Sequence, residues 1–127
     1  MLSIVIPTYN ESADIRPTLE AVCAVRHERR EVIVVDDAST DDTRDIVHEY
    51  ADRGVRLLSL KNNRGVAAAR NIGLREATGE IVVFLNADAH MRPDYAEKIL
   101  QHYRNGADYV VVEAAVENDH SVYPRYV

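Results

Sequence analysis

Apolar positions along the chain fall into two alternating rhythms. Short, nearly continuous runs of Val, Ile and Leu occupy Leu2–Ile6, Val32–Val35, Val55–Leu60, Ile81–Leu85 and Tyr109–Val116. Runs of this length and composition predict strands buried on both faces of a parallel sheet. Between them the apolar residues take helical spacing: Ile15, Leu19 and Val22; Ile46 or Val47 with Tyr50; Val66, Ala69 and Ile72; Tyr95, Ile99 and Tyr103. The order β-α-β-α-β-α-β-α-β follows. It predicts an α/β fold of three αβα layers, a doubly wound and mostly parallel sheet with helices on both faces.

The punctuation between segments supports this order. Gly54, Gly79 and Gly106 each follow a helical segment, where a left-handed terminal residue favours glycine. Ser39 with Asp42 three residues on resembles a capping box. Pro93 suits the first turn of a helix beginning near Asp94. There is no internal repeat, low-complexity stretch or linker, so residues 1–127 read as a single domain.

Charge and composition narrow the function. Acidic residues number 21 and basic ones 15, a net charge of −6 with neutral histidines. No basic stripe is available to neutralise phosphates, so nucleic acid is not an expected partner. The single cysteine, Cys23, forms no internal disulfide and points to a reducing compartment. No apolar run exceeds the five residues of Ile81–Leu85, against the ~20 needed to span a bilayer. A strand-like run starts at Leu2, which leaves no signal peptide. A cytoplasmic protein without a transmembrane segment is the expectation.

In a doubly wound sheet, ligands bind beyond the carboxyl ends of the strands, where strand order reverses. The first four strands are followed by Pro7–Glu11, Asp36–Thr43, Lys61–Gly65 and Asn86–His90. Acids and amides far apart in sequence therefore converge on one edge. Asp37 and Asp88 each end an apolar strand and are placed at the crevice. Asp41 and Asp42 fit the first turn of a helix, where carboxylates favour the positive dipole end. Asp36 fits a turn, accepting from backbone donors. Asn10, Asn71, Arg64 and Arg70 read equally well as site or surface residues. Cys23 and Tyr103 are expected in the core. Of the histidines only His90 adjoins the crevice, and no Cys/His cluster has metal-ligand spacing.

These residues resemble a known family. The opening Ser3–Glu11 (SIVIPTYNE), the stretch Val34–Thr43 (VVDDASTDDT), and Asn63-Arg64-Gly65 through Ala69-Arg70-Asn71, Gly73, Ala77 and Gly79-Glu80-Ile81 are similar to family-2 glycosyltransferases of the GT-A, Rossmann-like fold. So is Phe84–Asp88, where that family usually carries an Asp-x-Asp motif. The resemblance covers residues 2 to about 112. It departs in two respects. Asn86 stands for the first acid of the motif, and the family's catalytic domain is about twice this length.

The resemblance implies a glycosyltransferase that moves a sugar, with inversion, from a nucleoside-diphosphate donor to an acceptor hydroxyl. It implies nucleotide binding by Pro7, Thr8, Tyr9, Glu11, Asp37, Arg70, Asn86 and Ala87, and a Mg²⁺ or Mn²⁺ ion held by Asp88. Such a hard cation keeps waters, so one carboxylate suffices. Asp37, an acceptor only when ionised, would pair with an N–H of uracil, thymine or guanine but not with the ring nitrogen of cytosine. UDP-sugars are favoured. The acceptor pocket and the general base belong to the part of the family's domain beyond the fifth strand, so the catalytic residue is unassigned and this chain reads as the donor half. Sugar, acceptor, linkage and oligomeric state are not legible.

Three other classes compete. A receiver-type signalling domain needs an acidic pair after the first strand and a lysine after the fifth; here the pair follows the second and the lysine is missing. A dinucleotide-binding oxidoreductase needs a glycine-rich first turn, and Pro7–Glu11 contains no glycine. A non-catalytic nucleotide-sugar-binding module is the closest rival.

Overall fold

The first four β-branched runs are strands of one parallel sheet. The computed structural model describes residues 1–25, 29–89 and 94–106. Along the chain it forms β1 (Leu2–Thr8), α1 (Ile15–Cys23), β2 (Arg30–Asp36), α2 (Thr43–His48), a 3-10 turn (Ala51–Arg53), β3 (Val55–Ser59), α3 (Val66–Glu76), β4 (Ile81–Phe84) and α4 (Tyr95–Arg104). The expected strand Tyr109–Val116 lies outside the described residues, as do His90, Pro93 and the Tyr95 side chain.

Strand order is β3-β2-β1-β4, and every pairing is parallel. The chain steps outward from β1 to β3, then returns to the far side of β1 for β4. Right-handed crossovers put helices of opposite steps on opposite faces. The packing obeys this. Leu2, Ile4, Ile6, Val32 and Val34 pack with Ile15, Leu19 and Val22 of α1, Val47 of α2 and Ile99 of α4. Val5, Ile33 and Val35, on the alternate face, pack with Ala69 and Ile72 of α3. Three layers result, as the sequence predicts. Leu2, Ile4, Ile6, Ile15, Leu19 and Ile33 are completely buried, each contributing roughly 1.5–3 kcal/mol of transfer free energy.

Two glycines are there for space. A Cβ on Gly73 would enter the volume of the Val5 side chain and stand 3.2 Å from Val35 Cγ2, so glycine lets α3 sit close on the sheet. Gly79 was expected in a left-handed terminus but has no positive φ; a Cβ there would fall 2.5 Å from the Met1 carbonyl oxygen and 2.6 Å from Ser3 Oγ. Close approach, not dihedral freedom, selects it. Gly54 (φ 84°) and Gly106 (φ 90°) do take the left-handed conformation. Tyr103 departs from its expected core position. It lies in the last turn of α4 and is 47% exposed, whereas Ile99 one turn earlier is buried.

Candidate functional site

Reversal of strand order at β1 opens a crevice between the carboxyl ends of β1 and β4, with the end of β2 beside it. A cleft of about 340 Å³ occupies it, lined by Pro7, Thr8, Tyr9, Glu11, Asp37, Val66, Ala69, Asn86, Ala87 and Asp88. That volume is at the lower end of the range for small-molecule sites. Eight of these ten are strand-end residues that the sequence placed here. Val66 and Ala69 were read only as a helix face; lying on the first turn of α3 after Gly65, they line the cleft as well. Their signal was available in the i, i+3 spacing directly behind a strand-end loop. Arg70, expected at the phosphates, is exposed and does not line the cleft.

Hydrogen bonds between loops shape the wall after β1 and β2. Asn10 N–H donates to Ser39 Oγ (2.9 Å), Glu11 N–H to Thr43 Oγ1 (3.0 Å) and Ser12 N–H to Asp41 Oδ2 (3.2 Å). In return Thr40 N–H donates to Asn10 Oδ1 (2.8 Å). Asn10 and Ala38 are held at φ 49° and 65°, left-handed values that cost a non-glycine residue ~1–3 kcal/mol. This lacing accounts for Ser39 and Asp41 differently from the sequence. Ser39 makes no capping box: its hydroxyl donates to Asp36. Asp41, not Asp42, accepts from Thr43 N–H (3.0 Å) at the start of α2. Asp36 is the last residue of β2 and not a turn residue, but as expected it accepts from a backbone donor: fully buried, it takes Ser39 N–H (3.0 Å), with Arg44 Nε at 3.6 Å.

Asp37 ties in a third loop. Its Oδ1 accepts from Arg64 N–H (2.7 Å) and its Oδ2 from Gly65 N–H (2.9 Å), while Asn63 Nδ2 donates to the Asp37 carbonyl (3.3 Å). Asp37 is thus a structural latch as well as a cleft residue. A carboxylate offers about four lone-pair sites, so two are left for a ligand donor.

Charge in the cleft is negative. Burial, followed by repulsion from Asp88, Asp14 and Asp41, raises the Glu11 carboxyl above its ordinary value. Partial burial opposes ionisation of Asp41, but hydrogen bonds from Thr43 and Ser12 prevail and hold it at about 2. Among the described residues no three His, Cys, Asp or Glu side chains form a ready metal cage. The donor set is instead one exposed carboxylate, Asp88, next to the Asn86 amide, with Glu11 contributing repulsion that a cation would relieve. That fits a hard divalent ion completing its shell with water and phosphate oxygens.

The first strand-to-helix turn excludes one rival on physical grounds. In a dinucleotide site the amides of this turn face a pyrophosphate. Here the amides of Asn10, Glu11 and Ser12 are all engaged by side chains. Among the described residues no helix is long and apolar enough to cross a membrane.

Comparison with known proteins gives the family and the fold. The sequence profile described as Glycosyl transferase family 2 matches residues 3–126. TuaG of Bacillus subtilis, which carries the name of a teichuronic acid biosynthesis glycosyltransferase, is 39% identical over 103 residues, covering 80% of this chain and 41% of TuaG. The chain therefore spans less than half the length of that relative. Among solved structures, Staphylococcus aureus TarS 1-349 in complex with UDP superposes with a TM-score of 0.77 and 30% identity, over 82% of this chain and 32% of TarS. The mannosyltransferase PcManGT of Pyrobaculum calidifontis, solved with GDP-Man and Mn²⁺, gives a TM-score of 0.74 and 37% identity, over 79% and 31% of the two chains.

Proposed function

The chain belongs to glycosyl transferase family 2, with its GT-A fold, and from that premise we propose that its cleft binds the nucleotide of a nucleoside-diphosphate sugar for inverting transfer to an acceptor hydroxyl. The observation that carries the reading is the meeting of Tyr9, Asp37, Asn86 and Asp88 in one cleft at the reversal of strand order.

Each residue has a chemical task in this reading. The Tyr9 ring, half exposed at the rim, offers a face to the base, with Pro7 and Thr8 forming the floor. Asp37, fixed by two backbone amides, accepts an N–H of the base or a ribose hydroxyl. Uracil and guanine both present such an N–H, consistent with the UDP of the TarS complex and the GDP-Man of the PcManGT complex; UDP is the favoured donor nucleotide. Ala87 brings its backbone close to the ligand, and Asn86 supplies a neutral amide for ribose or phosphate. Glu11 and Asp88 set the negative potential at the diphosphate end. A Mg²⁺ or Mn²⁺ ion held by Asp88 would supply positive charge where the leaving diphosphate gains negative charge.

We assign residues 1–127 to the donor half of such an enzyme, with the base that takes the acceptor proton unassigned and none identified among the described residues. General-base assistance is typically worth ~10²–10⁴-fold. This chain is therefore expected to bind donor and to transfer sugar poorly; robust transfer to any acceptor in a product assay would overturn the half-domain assignment. Binding is tested by calorimetry with UDP, GDP, dTDP, CDP and NADH. UDP should bind best, and preference for CDP or for NADH alone would sink the base-reading role of Asp37.

A further inference from the structure

The lacing between the β1–α1 and β2–α2 loops has an internal order. Two hydroxyls sit between a carboxylate and a backbone amide. Ser39 Oγ donates to Asp36 Oδ1 and accepts from Asn10 N–H; Thr43 Oγ1 donates to Asp41 Oδ1 and accepts from Glu11 N–H. A hydroxyl has one proton and two lone pairs. Once its proton is committed to a carboxylate, the lone pairs alone are left to meet the amide. Each carboxylate therefore fixes its hydroxyl as an acceptor and also polarises it, which strengthens the bond to the amide. Ser39 and Thr43 are buried, so no water competes for these positions. The two amides belong to consecutive residues, and the turn they hold begins next to Tyr9 and includes Glu11, both of which line the cleft.

We propose that Ser39 and Thr43 are positioning residues for donor binding, each relaying a carboxylate to one amide of the Asn10–Glu11 turn and so fixing Tyr9 and Glu11 on the cleft wall. The left-handed Asn10 at φ 49° is what the relays help hold, together with its own Oδ1, which accepts from Thr40 N–H. Freed from Ser39 Oγ, its backbone has a lower-energy conformation elsewhere, and the turn would carry Tyr9 with it. The inference rests on the cleft being the donor site, as proposed above.

Thr43→Val is nearly isosteric and removes only the hydroxyl, leaving the Glu11 amide without its acceptor; Thr43→Ser restores the relay, and Ser39→Ala breaks the other one. Three readouts are taken on the full chain: UDP affinity by calorimetry, thermal midpoint, and hydrogen exchange at the amides of Asn10, Glu11 and Ser12. Thr43→Val and Ser39→Ala should weaken UDP binding roughly tenfold, as loss of about one hydrogen bond's worth of order implies. Exchange should rise at the turn amides while β1 and β2 stay protected, and Thr43→Ser should return affinity to within about twofold. A folded Thr43→Val protein with wild-type UDP affinity would overturn the positioning role, whatever its melting temperature, and leave the donor reading intact. Unchanged exchange at Glu11 would overturn the relay itself. Wild-type protein that binds none of the nucleotides would instead overturn the donor reading, and the positioning role with it.

Discussion

The two walls of the cleft are built differently. On the β1–β2 side, backbone amides from consecutive residues end on buried or partly buried side chains some thirty positions away, and Asp37 adds the β3–α3 loop to the same lattice. On the β4 side the loop is held mainly through its backbone: Leu85 N–H to the Val5 carbonyl (2.9 Å), Ala89 N–H to the Asn86 carbonyl (3.0 Å), and Thr18 Oγ1 to the Ala87 carbonyl (2.6 Å). Its cleft-lining polar side chains, Asn86 and Asp88, are exposed. The first wall has a fixed shape, as recognition of a base requires; ordering costs are met on folding, not on binding. The second presents one carboxylate and one neutral amide on exposed side chains, which suits a solvated cation and phosphates that bring their own ligands.

The comparison breaks most readily at Asp37. Replacing it by Ala removes a charged acceptor from the cleft and releases the Arg64 and Gly65 amides. A hydrogen bond to a charged group is worth ~1.5–3 kcal/mol, so UDP affinity should fall roughly tenfold to hundredfold, with or without metal. Calorimetry in Mn²⁺ and in chelator reads both conditions. Asp88→Ala should act on the other wall alone. Its UDP affinity in chelator should match that of wild type, while the gain on adding Mn²⁺ disappears. Equal metal dependence in both variants and wild type would abolish the distinction between the walls.

A smaller effect concerns stability, and its sign follows from Asp41. Its folded value, about 2, lies below the ordinary 3.8. A carboxylate depressed on folding stabilises the native state above its unfolded value, and that stability is lost as pH falls through the folded value. Thermal midpoints of wild type should therefore decline between about pH 4 and pH 2. Asp41→Asn, which cannot titrate, should start lower and decline less over the same interval. Parallel curves would mean that Asp41 carries none of the acid sensitivity.

The strands and the cleft were readable from the chain because their signals are local. Val32–Val35 is continuous enough to be a buried strand whatever surrounds it, and the first few residues after a strand's last apolar position lie at the sheet's carboxyl edge. That placed Asp37 and Asp88 correctly in one cleft. The lacing was not readable, because its partners are distant. Ser39 and Asp42 carry a capping spacing, yet Ser39 is engaged by Asp36 and by Asn10 29 residues away. The two amides that hold Asp37 come from 27 and 28 residues further on. Gly79 was misread for a related reason: the atoms that exclude a side chain there belong to Met1 and to Ser3, 76 residues earlier. Arg70 was placed by the helix start alone, but Val66 and Ala69 take the cleft-facing positions.

A crystal structure of this chain with UDP would show whether the laced wall reads the base of a nucleoside-diphosphate donor. Uracil should lie against Tyr9, with an Asp37 oxygen within hydrogen-bond distance of its N–H, and the diphosphate should be directed toward Asp88. The Asn10–Ser12 amides should keep their bonds to Ser39, Thr43 and Asp41. UDP bound with its phosphates on those amides, or with its base remote from Asp37, would contradict it.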